Sequence, residues 1–248
     1  YDFYNNEDSL NNNHRNLVGK NSLYLFCLND LVDNFIDNEL KDQKVREDFI
    51  NEVRLALVKG TYPGKIESRF QPIYVHAHII YDTIISQRKS ELVKKYDELI
   101  KNVLQINNNT DPIIALDNAK KIGGTCLEML AITNEEITSQ QDKESRESIK
   151  RLGMYAQMLD DLYDLEEDLI EDKKTFPVLF LKNNGDSRIT RKRIRDIMLK
   201  ESKQLLEEGL ILARTNKQKE ILQSLSKLLH LKFQIYDFLN GSCVYQYK

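Results

Sequence analysis

Aspartates recur at helical spacing between residues 157 and 168 of this chain. With about 100° between successive helical residues, the polar and acidic side chains of this stretch fall within roughly one quadrant, opposite leucine and methionine. Carboxylate oxygens suit hard divalent ions, and Mg²⁺ commonly combines one or two carboxylates with waters and substrate phosphates. The chemistry that this face predicts is therefore Mg²⁺ binding. The acidic face consists of Gln157, Asp160, Asp161, Asp164 and Asp168.

These aspartates also repel one another. Asp160 and Asp164 are four residues apart, as are Asp164 and Asp168, and each like-charged pair costs roughly 0.2–0.5 kcal/mol even in water. The cost rises steeply if the face points into the protein, where a cation is the natural remedy. The basic segment KKTFP at 173–177 follows directly, which places Lys173 and Lys174 to meet a phosphate held by the metal. A solvated acidic face is the alternative, because most acidic helical runs are of that kind.

A second acidic stripe of the same build lies on an earlier predicted helix, from about residue 22 to residue 41. Asp30, Asp33, Asn34 and Asp37 cluster on one of its faces. Two such stripes on separate helices of one chain are more specific than either alone. An EF-hand is disfavoured because the mid-loop glycine is missing. A di-iron bundle is disfavoured because no histidine follows a glutamate by three residues.

The elements that must position these residues are predicted to be helices. Only 9 Gly and 4 Pro occur among 248 residues, and the apolar residues follow a helical period over long runs. We expect an all-α protein with an N-terminal arm at 1–20 and one helical domain at 21–248. A polar connection is predicted at 134–145. Helices are predicted at 22–41, 43–59, 66–88, 90–106 and 112–133, through the acidic stretch, and at 188–214 and 217–240.

Two adjacent glycines, Gly123 and Gly124, interrupt the pattern of the helix predicted at 112–133. Each costs about 1 kcal/mol relative to alanine inside a helix, so a compensating feature is expected. Either another helix packs tightly against them, or the helix breaks there and exposes backbone to a ligand. Both alternatives are open at this point. Lys121 precedes the pair and would project toward the same cavity in the second case.

Composition limits the partners and the location. The net charge is only −3 with 30% charged residues, which gives no sign of nucleic acid or an anionic membrane as partner. No run of about 18 apolar residues predicts a membrane span. Cys27, Cys126 and Cys243 are odd in number and widely separated, as is typical of free thiols in a reducing compartment. We therefore expect a cytoplasmic protein, with an organellar import peptide upstream of Tyr1 as an open alternative.

Three segments together resemble the class I isoprenoid synthase superfamily, especially the trans-prenyl diphosphate synthases and their related terpene synthases. QMLDDLYD at 157–164 is similar to the second aspartate motif of that family, FQxxDDxxD. KKTFP at 173–177 resembles its GKxTxP segment, and KIGG at 121–124 looks like its Lys-Thr region. The order and approximate spacing of the segments agree over about residues 25–240.

The resemblance implies a single bundle of helices around a central cavity, in which two aspartate-rich helices face each other and hold three Mg²⁺ ions on a diphosphate. It also implies cavity-lining roles for Phe26, Tyr74 and Tyr81. The substrate-binding residues it implies are Lys121, Gln157, Lys173, Gly123 and Gly124. The metal ligands it implies are Asp33, Asp37, Asp160, Asp161, Asp164 and Asp168. Asp33, Asp37, Asp160, Asp164, Lys121 and Lys173 would then carry the catalysis.

Departures from the family pattern bear on the reaction. The first motif reads DNFID, with Val32 before Asp33, and is closer to the DxxxD form of squalene and phytoene synthases. Asp42 and Gln43 replace the arginine pair that helps elongating enzymes bind a second diphosphate. A terpene synthase that ionises an allylic prenyl diphosphate is therefore expected. The alternatives are a chain-elongating or acceptor-specific prenyltransferase and a non-catalytic helical subunit; a homodimer is implied by the superfamily.

Overall fold

The computed structural model describes residues 42–62, 64, 68–83, 91–106, 110–138 and 141–240, and the single positions 16, 19, 20 and 23. At residues 43, 104–106, 136–138 and 232–240 only the backbone is described. The predictions for Phe26, Asp33 and Asp37, and the helix predicted at 22–41, lie outside the described residues. Within these residues every regular element is helical, which confirms the all-α fold class.

Contacts divide the chain into two compact units, 1–100 with 129–142, and 101–128 with 143–248. None of the described helices is both long enough and apolar enough to pass through a lipid bilayer. The predicted domain limits and central cavity stay predictions. The α-helices of the described residues are α1 (Gln43–Lys59), α2 (Gln71–Thr83), α3 (Glu91–Ile106), α4 (Pro112–Thr138), α5 (Lys143–Tyr163), α6 (Leu165–Ile170), α7 (Phe176–Asn184), α8 (Arg188–Leu212) and α9 (Asn216–Asn240).

Helix α1 of the first unit has well-defined ends. The Asp42 carboxylate accepts a hydrogen bond from the backbone N–H of Val45 at 3.0 Å, which caps the first turn. Gly60 ends the helix in the left-handed region, with a φ of 63°, and its N–H bonds to the carbonyl of Ala56. The prediction of a helix over 43–59 is confirmed. Helix α2 packs on α1, and the buried Tyr74 hydroxyl donates to Glu52 at 2.8 Å.

The second unit is built on the packing of α5 against α8. Small residues allow the two helices to approach closely, and the Ser148 hydroxyl donates to the carbonyl of Gly209 at 2.7 Å. Helix α9 joins this pair through Gln218, whose amide donates to Ser145 at 2.7 Å. The predicted helices at 188–214 and 217–240 are confirmed to within two residues. Buried apolar side chains of these three helices include Leu152, Met158, Leu159, Ile194, Met198 and Leu222.

Two predicted boundaries are wrong. Helix α4 continues to Thr138, so the polar connection predicted at 134–145 is reduced to the few residues before Lys143. The acidic stretch is not one unbroken helix, because Asp164 leaves helical geometry with φ −86° and ψ 7°. Aspartate has a low helix propensity, and this one also lies between like charges. The interruption is local, since the N–H groups of Asp164 and Asp168 still bond to carbonyls four residues back, at 2.9 and 2.8 Å.

Candidate metal-binding site

The acidic face of α5 and α6 turns partly into the protein. Asp161 is only 7% exposed and Asp168 only 3% exposed, while Asp160 and Asp164 are half-buried. Apolar neighbours on the same turns, such as Leu162, are also buried. A fully solvated acidic face, the alternative explanation of the sequence pattern, is therefore not what the structure contains.

Burial and mutual repulsion raise the pKa values of three of these carboxyl groups, Asp161, Asp164 and Asp168. Burial, with smaller contributions from the charges of Asp168, Asp160 and Asp164, raises the pKa of Asp161 to about 8, although the hydrogen bond from the Gln157 amide opposes the shift. Burial likewise raises the pKa of Asp164 to about 7, with added repulsion from Asp160 and Asp168. For Asp168 burial raises the pKa to about 6, and Lys173 limits the shift. The face thus holds more carboxyl groups than its positive charge can balance.

Each of the two buried carboxyl groups, Asp161 and Asp168, accepts a hydrogen bond from another side chain of this protein. The Gln157 amide donates to Oδ1 of Asp161 at 2.9 Å, one helical turn away. The Thr175 hydroxyl donates to Oδ2 of Asp168 at 3.0 Å. Lys173 lies beside the same carboxylate, with Nζ 3.6 Å from Oδ1 of Asp168. Of the two lysines that the sequence places after the acidic stretch, Lys173 is therefore next to the acidic face.

The turn after α6 explains why the two lysines differ. Asp172 adopts the left-handed conformation, with a φ of 56°, which reverses the chain. The N–H of Lys173 returns to the carbonyl of Asp168 at 3.0 Å, and its Nζ also lies 3.2 Å from Glu171. Lys174 instead donates to Asp172 at 2.8 Å, and Lys182 binds the same carboxylate. These two lysines lower the pKa of Asp172 to about 2.

Gly123 and Gly124 correspond to the first of the two alternatives, tight helix packing. Helix α4 continues through both residues. A Cβ on Gly123 would overlap the carbonyl oxygen of Gly153 and lie 2.6 Å from Cβ of Gln157, and a Cβ on Gly153 would overlap the carbonyl oxygen of Gly123. A Cβ on Gly124 would lie 3.0 Å from the Met154 side chain. These sides of α4 are therefore filled by α5, and substrate binding by the two glycines has no direct support in this contact.

Lys121 lies on an exposed part of α4. Its side chain is 49% exposed, and Nζ lies 2.6 Å from Oδ2 of Asp117, one turn earlier on the same helix. Asp117 is itself 60% exposed, so the pair is at the surface. A surface ion pair of this kind contributes little to stability and exchanges readily for another anion. The predicted role of Lys121 as a diphosphate ligand stays a prediction.

The carboxylate oxygens of the acidic face suit a hard cation that also binds a substrate. Across the residues that the structure describes, no three histidine, cysteine, aspartate or glutamate side chains are grouped so that they could hold a metal ion. Mg²⁺ does not require such a group, because one or two carboxylates, waters and phosphate oxygens complete its coordination. Asp160 and Asp164 carry carboxylate oxygens at positions one turn apart beside two buried acids, and oxygen is the ligand atom that Mg²⁺ prefers. Asp33 and Asp37 lie outside the described residues.

Sequence reasoning missed three residues that form contacts of α6, one on the acidic face and two on its opposite side. Thr175 was recognised only as part of a motif, yet its hydroxyl fixes Asp168. Its position before Phe176 and Pro177 marks a helix start, but no spacing rule indicates a bond back to residue 168. Arg191 and Glu166 form an ion pair between α8 and α6 that the sequence pattern does not indicate. Such contacts join residues far apart in the chain and are visible only in the fold.

The aromatic residues predicted to line a cavity have other observed contacts. The Tyr74 hydroxyl is committed to Glu52, and burial together with this acceptor raises its pKa. The Tyr81 ring lies against Gly60, where an added Cβ would be 2.5 Å from the ring. Their predicted role therefore has no support from these contacts and stays a prediction.

Stability should fall as pH rises when no divalent cation is present. The folded-state pKa values of Asp161, Asp164 and Asp168 are above those of the unfolded chain, so their stabilising contribution is complete only below about pH 4 and is lost progressively as pH rises to the folded-state values of about 6 to 8. Thermal denaturation in EDTA should give a Tm roughly 5–10 °C lower at pH 8 than at pH 5. The Asp161→Asn variant should show a smaller difference. Equal Tm values at the two pH values would contradict the raised pKa values.

Comparison of the chain with protein-family models, with curated proteins and with solved structures gives no significant match. The resemblance to class I isoprenoid synthases therefore rests on the motifs at 121–124, 157–164 and 173–177.

Proposed function

We propose that this chain is a Mg²⁺-dependent class I terpene synthase that ionises an allylic prenyl diphosphate, releases diphosphate, and lets the carbocation cyclise or be quenched. One observation carries the proposal. The acidic face of α5 and α6 holds two buried and two half-buried aspartates, with Lys173 beside Asp168 as an identified cationic neighbour. This arrangement is costly for a folded protein unless positive charge joins it. A magnesium diphosphate brings that charge together with its own anionic oxygens.

The buried carboxylates favour a functional explanation over a structural one. A stability role alone would be served better by apolar residues of similar size, because burying a charge costs more than it returns without a well-placed partner. Titratable groups with strongly shifted pKa values cluster at functional sites for this reason. Asp161 and Asp168 retain such shifts in spite of their hydrogen bonds to Gln157 and Thr175.

Each residue of the proposed site has a separate task. Asp160 and Asp164 would hold Mg²⁺, with Asp168 as a third candidate and Asp33 and Asp37 as the predicted ligands of further ions. When bound, Mg²⁺ stabilises the negative charge that develops on the departing diphosphate. Gln157 and Thr175 orient the carboxylates of Asp161 and Asp168 through the hydrogen bonds already described.

Lys173 would bind the diphosphate directly. Its ammonium group lies within 4 Å of both Asp168 and Glu171, so it now partly balances two carboxylates. A metal at the acidic face would supply that balance instead, and the ammonium group would then serve the phosphate oxygens. Preorganised positive charge near a leaving group contributes most as the bond breaks. Lys121 is the second candidate for this task.

The contacts of Asp42 favour ionisation of one substrate over chain elongation. In the resemblance, residue 42 takes the place of an arginine that binds a second diphosphate. Here the Asp42 carboxylate caps α1 by accepting the N–H of Val45. A carboxylate committed to a helix start brings negative rather than positive charge to that position, which opposes a second diphosphate.

The test is pyrophosphate release from single substrates. Geranyl, farnesyl and geranylgeranyl diphosphate are incubated separately with the chain and Mg²⁺, and products are identified by mass spectrometry. Release of pyrophosphate with formation of a hydrocarbon or an alcohol from one substrate, abolished by EDTA, is the expected result. Addition of isopentenyl diphosphate in a second arm tests elongation.

Each other outcome points to one alternative. A longer diphosphate formed only with isopentenyl diphosphate would replace the proposal with a chain-elongating prenyltransferase. No pyrophosphate release from any substrate, together with increased activity of a co-expressed prenyl diphosphate synthase, would replace it with a non-catalytic subunit. Release that persists in EDTA would contradict the magnesium site.

A further inference from the structure

Helix α6 does not fix its own orientation. It has only six residues, Leu165–Ile170, and its N-cap residue Asp164 forms no side-chain capping bond. A helix of this length is not stable by itself and takes its position from tertiary contacts. Because it carries Asp168 and begins directly after Asp164, its orientation decides where half of the acidic face points.

Besides its packing on α5 and α7, α6 has polar contacts on two opposite sides. On the side of the acidic face, Thr175 and Lys173 contact Asp168. Glu166 is two residues before Asp168 and therefore lies about 200° around the helix, on the other side. There it accepts a hydrogen bond from Nη1 of Arg191 on α8. The contact of Glu166 with Arg191 is therefore as well placed as the contacts of Asp168 to set the rotation of α6 about its axis.

Arg191 is itself held firmly. Its Nε and Nη2 donate to the two carboxylate oxygens of Asp186 at 2.6 and 2.9 Å, a bidentate arrangement. Its backbone N–H bonds to the carbonyl of Ser187, the N-cap residue of α8, at 2.9 Å. Only 22% of the Arg191 side chain is exposed. Both carboxylate partners raise its pKa, so its charge is permanent.

Helix α8 also packs against α5, which carries Asp160 and Asp161. The Ser148 hydroxyl of α5 bonds to the carbonyl of Gly209 of α8, and Arg151 of α5 lies 3.2 Å from Glu208. Helix α8 therefore contacts both α5 and α6, the two helices that carry the acidic face. Its Arg191 side chain is a contact with α6.

We propose that Arg191 is a positioning residue: through Glu166 it fixes α6 relative to α5, so that Asp164, at the start of α6, is held next to Asp160 to receive a Mg²⁺ diphosphate. This inference rests on the proposed function for its ligand and on the observed ion pairs for its structural part. Outer contacts that orient metal ligands commonly change metal affinity 10- to 100-fold when they are removed. Arg191 touches neither metal nor substrate in this role.

Hydrogen exchange tests the structural part without any ligand. In the Arg191→Ala and Glu166→Gln variants, the backbone amides of residues 165–170 should exchange at least about tenfold faster, while those of α5 remain protected. Glu166→Gln keeps the size of the side chain and removes only the charge at α6, which guards against a general loss of folding. The matched control is Arg193→Ala, which removes an arginine two positions along α8. Unchanged exchange in 165–170 in both test variants would overturn the proposal.

Calorimetry tests the link to the ligand, with inorganic pyrophosphate as the probe and Mg²⁺ varied. Both test variants should require roughly tenfold more Mg²⁺ for half-maximal pyrophosphate binding, and Arg191→Lys should fall between them and the wild type. Faster exchange with an unchanged Mg²⁺ requirement would overturn the positioning role. If the wild-type chain binds no pyrophosphate at any Mg²⁺ concentration, the proposed function and the ligand part fall together, and hydrogen exchange still decides the structural part.

Discussion

Replacement of Gly153 by alanine is expected to lower the free energy of unfolding by about 3 kcal/mol, which is a loss of roughly 6–12 °C in Tm. The added Cβ would overlap the carbonyl oxygen of Gly123 and lie 3.0 Å from Cβ of Leu127. Neither group is the end of a flexible side chain, so the helices α4 and α5 must move apart. Alanine has the higher helix propensity by about 1 kcal/mol, and the expected loss is therefore opposite to what propensity alone predicts.

The neighbouring glycines provide a matched comparison. Gly123→Ala should behave like Gly153→Ala, because its Cβ would overlap the carbonyl oxygen of Gly153 and crowd Gln157. Gly124→Ala makes the same chemical change one residue along the same helix, but its Cβ would meet the Met154 side chain, which adapts easily. That variant should remain within about 1 kcal/mol of the wild type. Chemical denaturation of all three variants provides the measurement, and equal losses at positions 123 and 124 would contradict the close helix contact.

The packing of these glycines also reaches the acidic face. Gln157 lies against Gly123 on one side, and its amide donates to Asp161 on the other. A bulkier residue at 123 therefore displaces the donor that orients a buried carboxylate. The absence of a side chain at this crossing serves the site as well as the fold.

The helical fold could be predicted because its signals are local. Asp42 and Gly60 stand directly at the two ends of α1 that they determine. The apolar period of the last two helices likewise lies within the segments that become helical. The interruption at Asp164 was missed because a periodic pattern does not show where repulsion exceeds a weak helix propensity. The extension of α4 to Thr138 was missed because a buried polar residue such as Asn134 resembles a loop residue in sequence.

The acidic face could be predicted as a set of residues, but its burial could not. Helical spacing brings Asp160, Asp161, Asp164 and Asp168 together whichever way the helix faces. Which of them become buried depends on the elements that pack around the segment, and α7 and α8 come later in the chain. Sequence also left two alternatives for the paired glycines, and the choice between them depended on Gly153, thirty residues further along.

Replacement of Asp164 by asparagine is expected to reduce Mg²⁺-dependent pyrophosphate release by about 10²–10³-fold and at the same time to raise stability. Asparagine keeps the size and one oxygen of the side chain but removes the negative charge that a metal ligand supplies. The same charge is unfavourable in the metal-free protein, because burial and the carboxylates of Asp160 and Asp168 raise its pKa to about 7. In EDTA at pH 8 the variant should gain on the order of 1–2 kcal/mol, after allowance for solvent screening.

The opposite signs of the two effects separate function from folding. Replacement of a residue that only supports the structure would lower activity and stability together. Replacement of a metal ligand that is held against repulsion would lower activity but raise stability. Asp196→Asn on α8 is the matched control, since that carboxylate is 57% exposed and lies 3.7 Å from Arg195. It should change neither quantity appreciably. Kinetics with the active substrate measure the activity, and denaturation in EDTA measures the stability. A stabilised Asp164→Asn variant with full activity would show that Asp164 is not part of the metal site.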